Sequence, residues 1–229
     1  MKIGGLQRVS LNDYPRKICA TVFTQACNFR CPYCHNPELV DPGQYGPLLP
    51  EEDVLSFLDK RRGKLEAVTV TGGEPTLQRD LGKFLGQLKN MGYLVKVDTN
   101  GSNPDTLSIL IDRQLVDYIA MDIKGPLKKY GQMAAAKVDV SRIRKSVQLL
   151  TTSGIDHEFR TTVVRSQLGL EDLMSMAKII NRARLYVLQP FVAGKTLDSA
   201  FLSETSYTPE EFSTFREVLE KKGLSVIVR

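Results

Sequence analysis

Two kinds of hydrophobic run alternate along this chain. Short runs rich in Val, Ile, Thr and aromatic residues cover positions 18–24, 67–71, 94–98, 118–122, 158–164 and 185–189. Their length and composition predict buried strands. Between and after them lie stretches at 49–62, 77–91, 104–113, 141–153, 170–182 and 209–222 that predict helices. The helix ends carry matching signals. Pro50, Glu51 and Glu52 open the first helix, Asn103 stands as an N-cap of the third, and Gly92, Gly154 and Gly223 follow helices as C′ glycines. A short last strand is expected at 225–228. Residues 41–49 (DPGQYGPLL) read as a loop, and 124–139 as an irregular, mobile one.

Six βα units in series argue for a parallel sheet with helical crossovers. A complete eight-fold barrel takes about 250 residues. This chain has 229, so the expectation is an α/β fold, a partial (βα)6 TIM-like barrel. No repeat, low-complexity tract or linker divides it. One domain over 1–229 is expected, with a short helix–strand extension after about residue 200. In parallel α/β folds, functional groups collect at the C-terminal ends of the strands. The residues at those ends are Gly72, Gly73, Glu74 and Pro75; Asp98, Thr99, Asn100 and Gly101; and Asp122 and Lys124. Arg160 lies on the fifth strand and Gln189 ends the sixth.

Composition narrows the partners. The net charge is +5, but the basic residues are scattered without the interleaved aromatics of a base-stacking platform, so nucleic acid is not expected. No apolar stretch is long enough to cross a membrane. The start, MKIGGLQRVSLNDYPRK, lacks the apolar segment of a signal peptide. A cytoplasmic location is expected, where thiols stay reduced and clustered cysteines mean metal or redox chemistry.

Such a cluster follows the first strand, in CNFRCPYCHN. Cys27, Cys31 and Cys34 have the spacing C-x3-C-x2-C. Three thiolates on a [4Fe–4S] cluster leave one iron without a protein ligand, open to chemistry. Two alternatives stay open on the residues alone. Cys31-Pro-Tyr-Cys34-His35 fits a haem-attachment pattern, although that leaves Cys27 unexplained. Cys27, Cys31, Cys34 and His35 also make a four-ligand zinc set. Cys19, inside the strand, reads as a buried apolar residue.

The remaining candidates each have a plain structural reading. Gly72-Gly73-Glu74-Pro75 lets backbone approach a ligand closely, or is simply a βα turn. Asp98-Thr99-Asn100-Gly101 contains a common turn pair. Asp122 and Lys124 suit a ligand with hydroxyls and a carboxylate, while Lys124 also reads as a solvated charge. Arg160 reads equally as a ligand contact or a buried ion pair. Tyr33 shields the cluster, stacks on a base, or packs in the core. His157 is expected at the surface, and His35 in the loop without ligating.

With these residues in hand, the chain resembles the radical S-adenosylmethionine (radical SAM) superfamily. C-x3-C-x2-C with an aromatic before its last cysteine, and GGEP after the next strand, are that family's hallmarks. The opening GGLQRVSLNDYPRKICATVFTQACNFRCPYCHNPELV, with VDTNG and MDIK, is similar to the activating proteins of anaerobic ribonucleoside-triphosphate reductases. The resemblance implies a [4Fe–4S] cluster and S-adenosylmethionine (SAM) as cofactors, and an external electron donor. It implies Cys27, Cys31 and Cys34 as cluster ligands, with Tyr33, Gly72, Gly73, Glu74, Asp98, Thr99, Asn100, Asp122, Lys124, Arg160 and Gln189 around SAM. The implied activity is reductive cleavage of SAM to install a glycyl radical on a large partner enzyme, anaerobic ribonucleoside-triphosphate reductase. A small-molecule radical SAM enzyme, such as a 7-deazaguanine synthase, is the alternative, and a simple iron–sulfur electron carrier is the rival from another class. Formate-lyase activases carry a histidine near the end of the sixth strand where this chain has Val192, so that contact is not carried over.

Overall fold

A computed structural model describes all residues, Met1–Arg229. Eight strands form one open sheet, in which their order is their order in the chain. They are β1 (Ile3–Tyr14), β2 (Lys17–Thr24), β3 (Ala67–Gly72), β4 (Leu94–Thr99), β5 (Tyr118–Asp122), β6 (Asp156–Val163), β7 (Tyr186–Pro190) and β8 (Val226–Val228). The helices are α1 (Pro37–Val40), α2 (Glu51–Asp59), α3 (Leu81–Asn90), α4 (Pro104–Asp112), α5 (Tyr130–Ala134), α6 (Val140–Thr152), α7 (Leu170–Ile179) and α8 (Pro209–Glu220). The six expected βα units run from β2 to α8, with β1 and β8 as added edge strands.

The chain forms two compact units. The first holds Met1–Asn28, Asn36–Thr99 and Asp105–Ile119; the second holds Phe29–His35, Asn100–Pro104 and Ala120–Arg229. In the first, β1 pairs antiparallel with β2, while β2–β3 and β3–β4 are parallel. Val68 and Val70 of β3, Val95 and Val97 of β4, and Leu85 and Leu88 of α3 are fully buried. Strands covered on both faces read as continuous apolar runs, which is why β3 and β4 were visible as blocks. In the second unit, β6–β7 and β7–β8 are parallel. Phe159, Val187 and Leu188 are buried there with Ile143, Leu150 and Leu173 of its helices.

Three expectations need correction. β1 was not foreseen: Gly4, Gly5, Asn12 and Asp13 are poor strand formers, and pairing with β2 through the Pro15–Arg16 turn overrides them. The 124–139 stretch is not irregular throughout, since it contains α5 and the cap of α6, where the Asp139 carboxylate accepts from the Ser141 N–H. His157 is buried at 4 % exposure, not on the surface. Its Nδ1 hydrogen-bonds the Ile155 carbonyl at 2.9 Å, and its ring packs edge-on to Phe159.

Candidate active site

In the first unit, the end of β3 is locked against the segment that leads into the cysteines. The Gly73 N–H donates to the Thr24 carbonyl and the Glu74 N–H to the Ala26 carbonyl, both at 2.8 Å. A Cβ on Gly73 would lie 2.1 Å from the Ala26 oxygen, and one on Gly72 2.5 Å from the Thr24 backbone. Gly72 also has φ +111°, which L side chains rarely adopt. The glycines bring the β3 end into close contact with the Thr24–Ala26 backbone. Ala26, directly before Cys27, has φ +89°, a strained conformation for a non-glycine residue. It is held by its N–H to the Leu39 carbonyl, 2.8 Å. Strain of this kind collects at functional sites.

Glu74 is fully buried. Its Oε1 accepts from the Thr76 N–H at 3.1 Å, from the Thr76 hydroxyl, and from the Thr99 hydroxyl at 2.8 Å. The carboxylate therefore caps the short 3-10 turn Pro75–Leu77 and ties the β3 end to the β4 end. On β4, Asp98 accepts from the buried Lys96 Nζ at 2.6 Å. Asn100, in the second unit, accepts the Ser102 N–H at 2.9 Å through its Oδ1, which is the turn reading of its motif.

The second unit gathers a charged group. Asp122 Oδ1 accepts from Arg160 Nε at 2.9 Å, and its Oδ2 from Lys124 Nζ at 3.0 Å. Burial works to raise the Asp122 carboxyl, but Arg160 and Lys124 together outweigh it and hold it below the usual carboxylate range. Burial likewise opposes the Lys124 charge, and Asp122 outweighs it, so the ammonium is held well above its ordinary value. Arg160 is thus an ion-pair residue. Tyr130, buried on α5, was missed by the sequence reading. Its hydroxyl donates to the Asp122 carbonyl at 3.4 Å and accepts the Lys124 N–H at 3.3 Å. Gln189 is half-buried on β7, level with Thr162 of β6.

All four cysteines are outside disulfides. Cys19 is buried, as expected. Cys27 belongs to the first unit, Cys31 and Cys34 to the second. Burial pushes the Cys31 thiol up, while the Lys124 ammonium pulls it down. Tyr33 is buried, with its hydroxyl beside the Cys31 thiol, which it pulls down. His35 turns its Nε2 to the Val192 carbonyl at 3.1 Å and stacks on Phe191. No three His, Cys, Asp or Glu side chains are gathered to hold a single metal ion. A cluster does not ask for that, because each thiolate binds a different iron; three thiols on one short loop are a donor set that fits it.

A family model for the radical SAM superfamily matches residues 21–180, and the chain belongs to that superfamily. It is a radical SAM enzyme, and the superfamily's cofactors are a [4Fe–4S] cluster and SAM. Along 99 % of its length it is 30 % identical to a Methanocaldococcus jannaschii protein named "putative glycyl-radical enzyme activating enzyme MJ1227", of which it covers 95 %. It is 29 % identical over 160 residues to the 7-carboxy-7-deazaguanine synthase of Koribacter versatilis, covering 69 % of this chain and 66 % of that one. Its fold is similar to that of Streptococcus suis SuiB bound to S-adenosylmethionine, with a TM-score of 0.70 and 15 % identity. That likeness covers 90 % of this chain and 48 % of SuiB.

Proposed function

We propose that this protein is an activase that installs a glycyl radical on a partner enzyme, anaerobic ribonucleoside-triphosphate reductase. The observation that carries the reading is the near end-to-end likeness to a protein named as a glycyl-radical enzyme activating enzyme. Cys27, Cys31 and Cys34 hold the cluster. When bound, the cluster and SAM supply one-electron cleavage to methionine and a 5′-deoxyadenosyl radical, the species that takes a hydrogen from the substrate.

The chain's own groups bind and orient. Asp122, Lys124 and Arg160 carry one negative and two positive charges, an excess that suits the SAM carboxylate. The ion pairs fix these side chains before ligand arrives, so little is reorganised on binding. Gly72, Gly73 and Glu74 set the backbone beside the cysteine segment, and the Thr76 and Thr99 hydroxyls hold Glu74 in place. Asp98, Thr99 and Asn100 at the β4 end, Tyr33, and Gln189 on β7 complete the SAM surroundings. No side chain here needs to serve as an acid or base. A reducing, cytoplasmic location and an external electron donor are part of this reading. No helix is long and apolar enough to cross a membrane.

The likeness to a 7-carboxy-7-deazaguanine synthase favours one second reading, a small-molecule radical SAM enzyme. Electron paramagnetic resonance separates the two. Anaerobic protein with a reconstituted cluster, SAM, reductant and a candidate reductase is expected to give a glycyl doublet that depends on the reductase. SAM cleavage with no doublet, stimulated by a deazapurine precursor, would support the second reading. Cys31→Ala is expected to abolish SAM cleavage; retained cleavage would remove Cys31 from the ligand set.

A further inference from the structure

The segment after β7 makes contacts that the function above does not use. Residues 191–201 run back over the stretch that carries Cys31 and Cys34, and both belong to the second unit. The Asp198 N–H donates to the Pro32 carbonyl at 3.0 Å. The Phe201 ring lies against Tyr33, with centroids 6.5 Å apart. The His35 ring stacks on Phe191 at 5.6 Å with 26° between planes, and its Nε2 meets the Val192 carbonyl at 3.1 Å. A carbonyl only accepts, so Nε2 carries the proton. On its other side the same stretch is tied to α5 and the residues around it: the Arg30 N–H donates to the Ala134 carbonyl at 2.8 Å, and Phe29 packs edge-on to Tyr130. Every residue of 29–35 other than the two cysteines therefore has a fixed partner.

We propose that residues 191–201 are a strap that preforms the Cys31–Cys34 half of the cluster loop, with His35 as the positioning residue that pins it. The proposal rests on the reading of Cys31 and Cys34 as cluster ligands. A loop that must hold thiolates on separate irons loses conformational freedom when the cluster binds. Contacts that fix the loop beforehand remove that cost and slow its opening, which is the route by which a ligand sulfur leaves its iron and oxidant enters. The strap is anchored by buried Phe191 at one end. At the other, the Asp198 carboxylate caps the Ser199–Ser203 turn by accepting the Ala200 N–H at 2.9 Å. His35 itself is exposed, so of the buried residues its replacement bears on Phe191, the ring it stacks on.

The first test needs no cluster. Hydrogen exchange on the full-length, cluster-free protein is expected to show the amides of residues 31–36 opening about five- to tenfold faster in His35→Ala than in the parent, the size of one lost hydrogen bond. Exchange in the other segments is expected to change far less, and the thermal midpoint to fall by no more than about 4 °C. His35→Gln, whose amide nitrogen can donate to the Val192 carbonyl, is expected to restore most of the protection. Leu202→Ala, at an exposed position just past the strap, serves as the control with no effect. In the reconstituted protein, loss of cluster absorbance in air is expected to accelerate by a similar factor in His35→Ala and to recover in His35→Gln. Unchanged exchange in His35→Ala would overturn the strap. Faster exchange with an unchanged rate of cluster loss would overturn its role toward the cluster. A parent protein that binds no cluster would overturn the ligand assignment while the exchange result stood by itself.

Discussion

At the residue scale, the most constrained position is Gly73. An alanine there sets its methyl 2.1 Å from the Ala26 oxygen, against backbone that is already strained and anchored. Neither side yields cheaply. Gly73→Ala is expected to destabilise the cluster-free protein by about 3 kcal/mol, read as a lowered urea midpoint; a loss below about 1 kcal/mol would mean the Thr24–Ala26 segment moves freely. Asp122 presents the reverse case, a charge that others depend on. Asp122→Asn leaves Lys124 and Arg160, both largely buried, facing each other without their shared carboxylate. The expected cost is about 3 kcal/mol, with weaker SAM binding by calorimetry on anaerobic protein. Unchanged affinity would remove Asp122 from the site.

At the element scale, sequence and structure agree where an element is specified by its own residues. β5 is found at the predicted bounds. α8 starts at Pro209 because Thr208 and Glu211 form a capping box, each side chain meeting the other's backbone N–H. Thr208→Ala is accordingly expected to lower stability by about 1 kcal/mol, seen in thermal unfolding; no change would mean that packing of Phe212 and Phe215 alone fixes the helix. Legibility failed where a partner element decides. β1 contains two glycines and a polar run, and it is a strand because β2 offers it a ladder. α5 is only five residues long, too short for a periodic signal, so Tyr130 escaped notice. The glycine pair was legible as a place of close approach, but sequence did not tell that the Thr24–Ala26 backbone lies against it. The same holds for His35. Its adjacency to Cys34 was plain, while its attachment to Phe191 and Val192 joins residues far apart in sequence, and no local pattern records it.

At the scale of the whole molecule, His157 links global stability to pH. It lies near the start of β6 between Asp156 and Glu158, the latter paired with Arg229 at 2.8 Å. Its Nε2 is buried without a partner. Burial holds the imidazole below its usual value, and nearby Arg184 adds to the effect, against smaller opposing contributions from the Ile155 carbonyl and Asp156. The sign follows from linkage. Above the ordinary histidine range, near pH 6.5, the ring is neutral folded or unfolded and contributes no pH dependence. As pH falls through that range, the unfolded chain takes up the proton first, so stability declines. The decline ends once pH passes below the depressed folded value. His157→Gln keeps a donor for the Ile155 carbonyl but cannot titrate. In urea unfolding of cluster-free protein from pH 8 to pH 5, the variant is expected to lose less stability than the parent between about pH 6.5 and pH 5. The other histidine, His35, is present in both proteins, so the difference belongs to His157. Parallel curves for the two proteins would show that the folded chain takes up the proton over the same pH range as the unfolded one, and that burial does not depress His157.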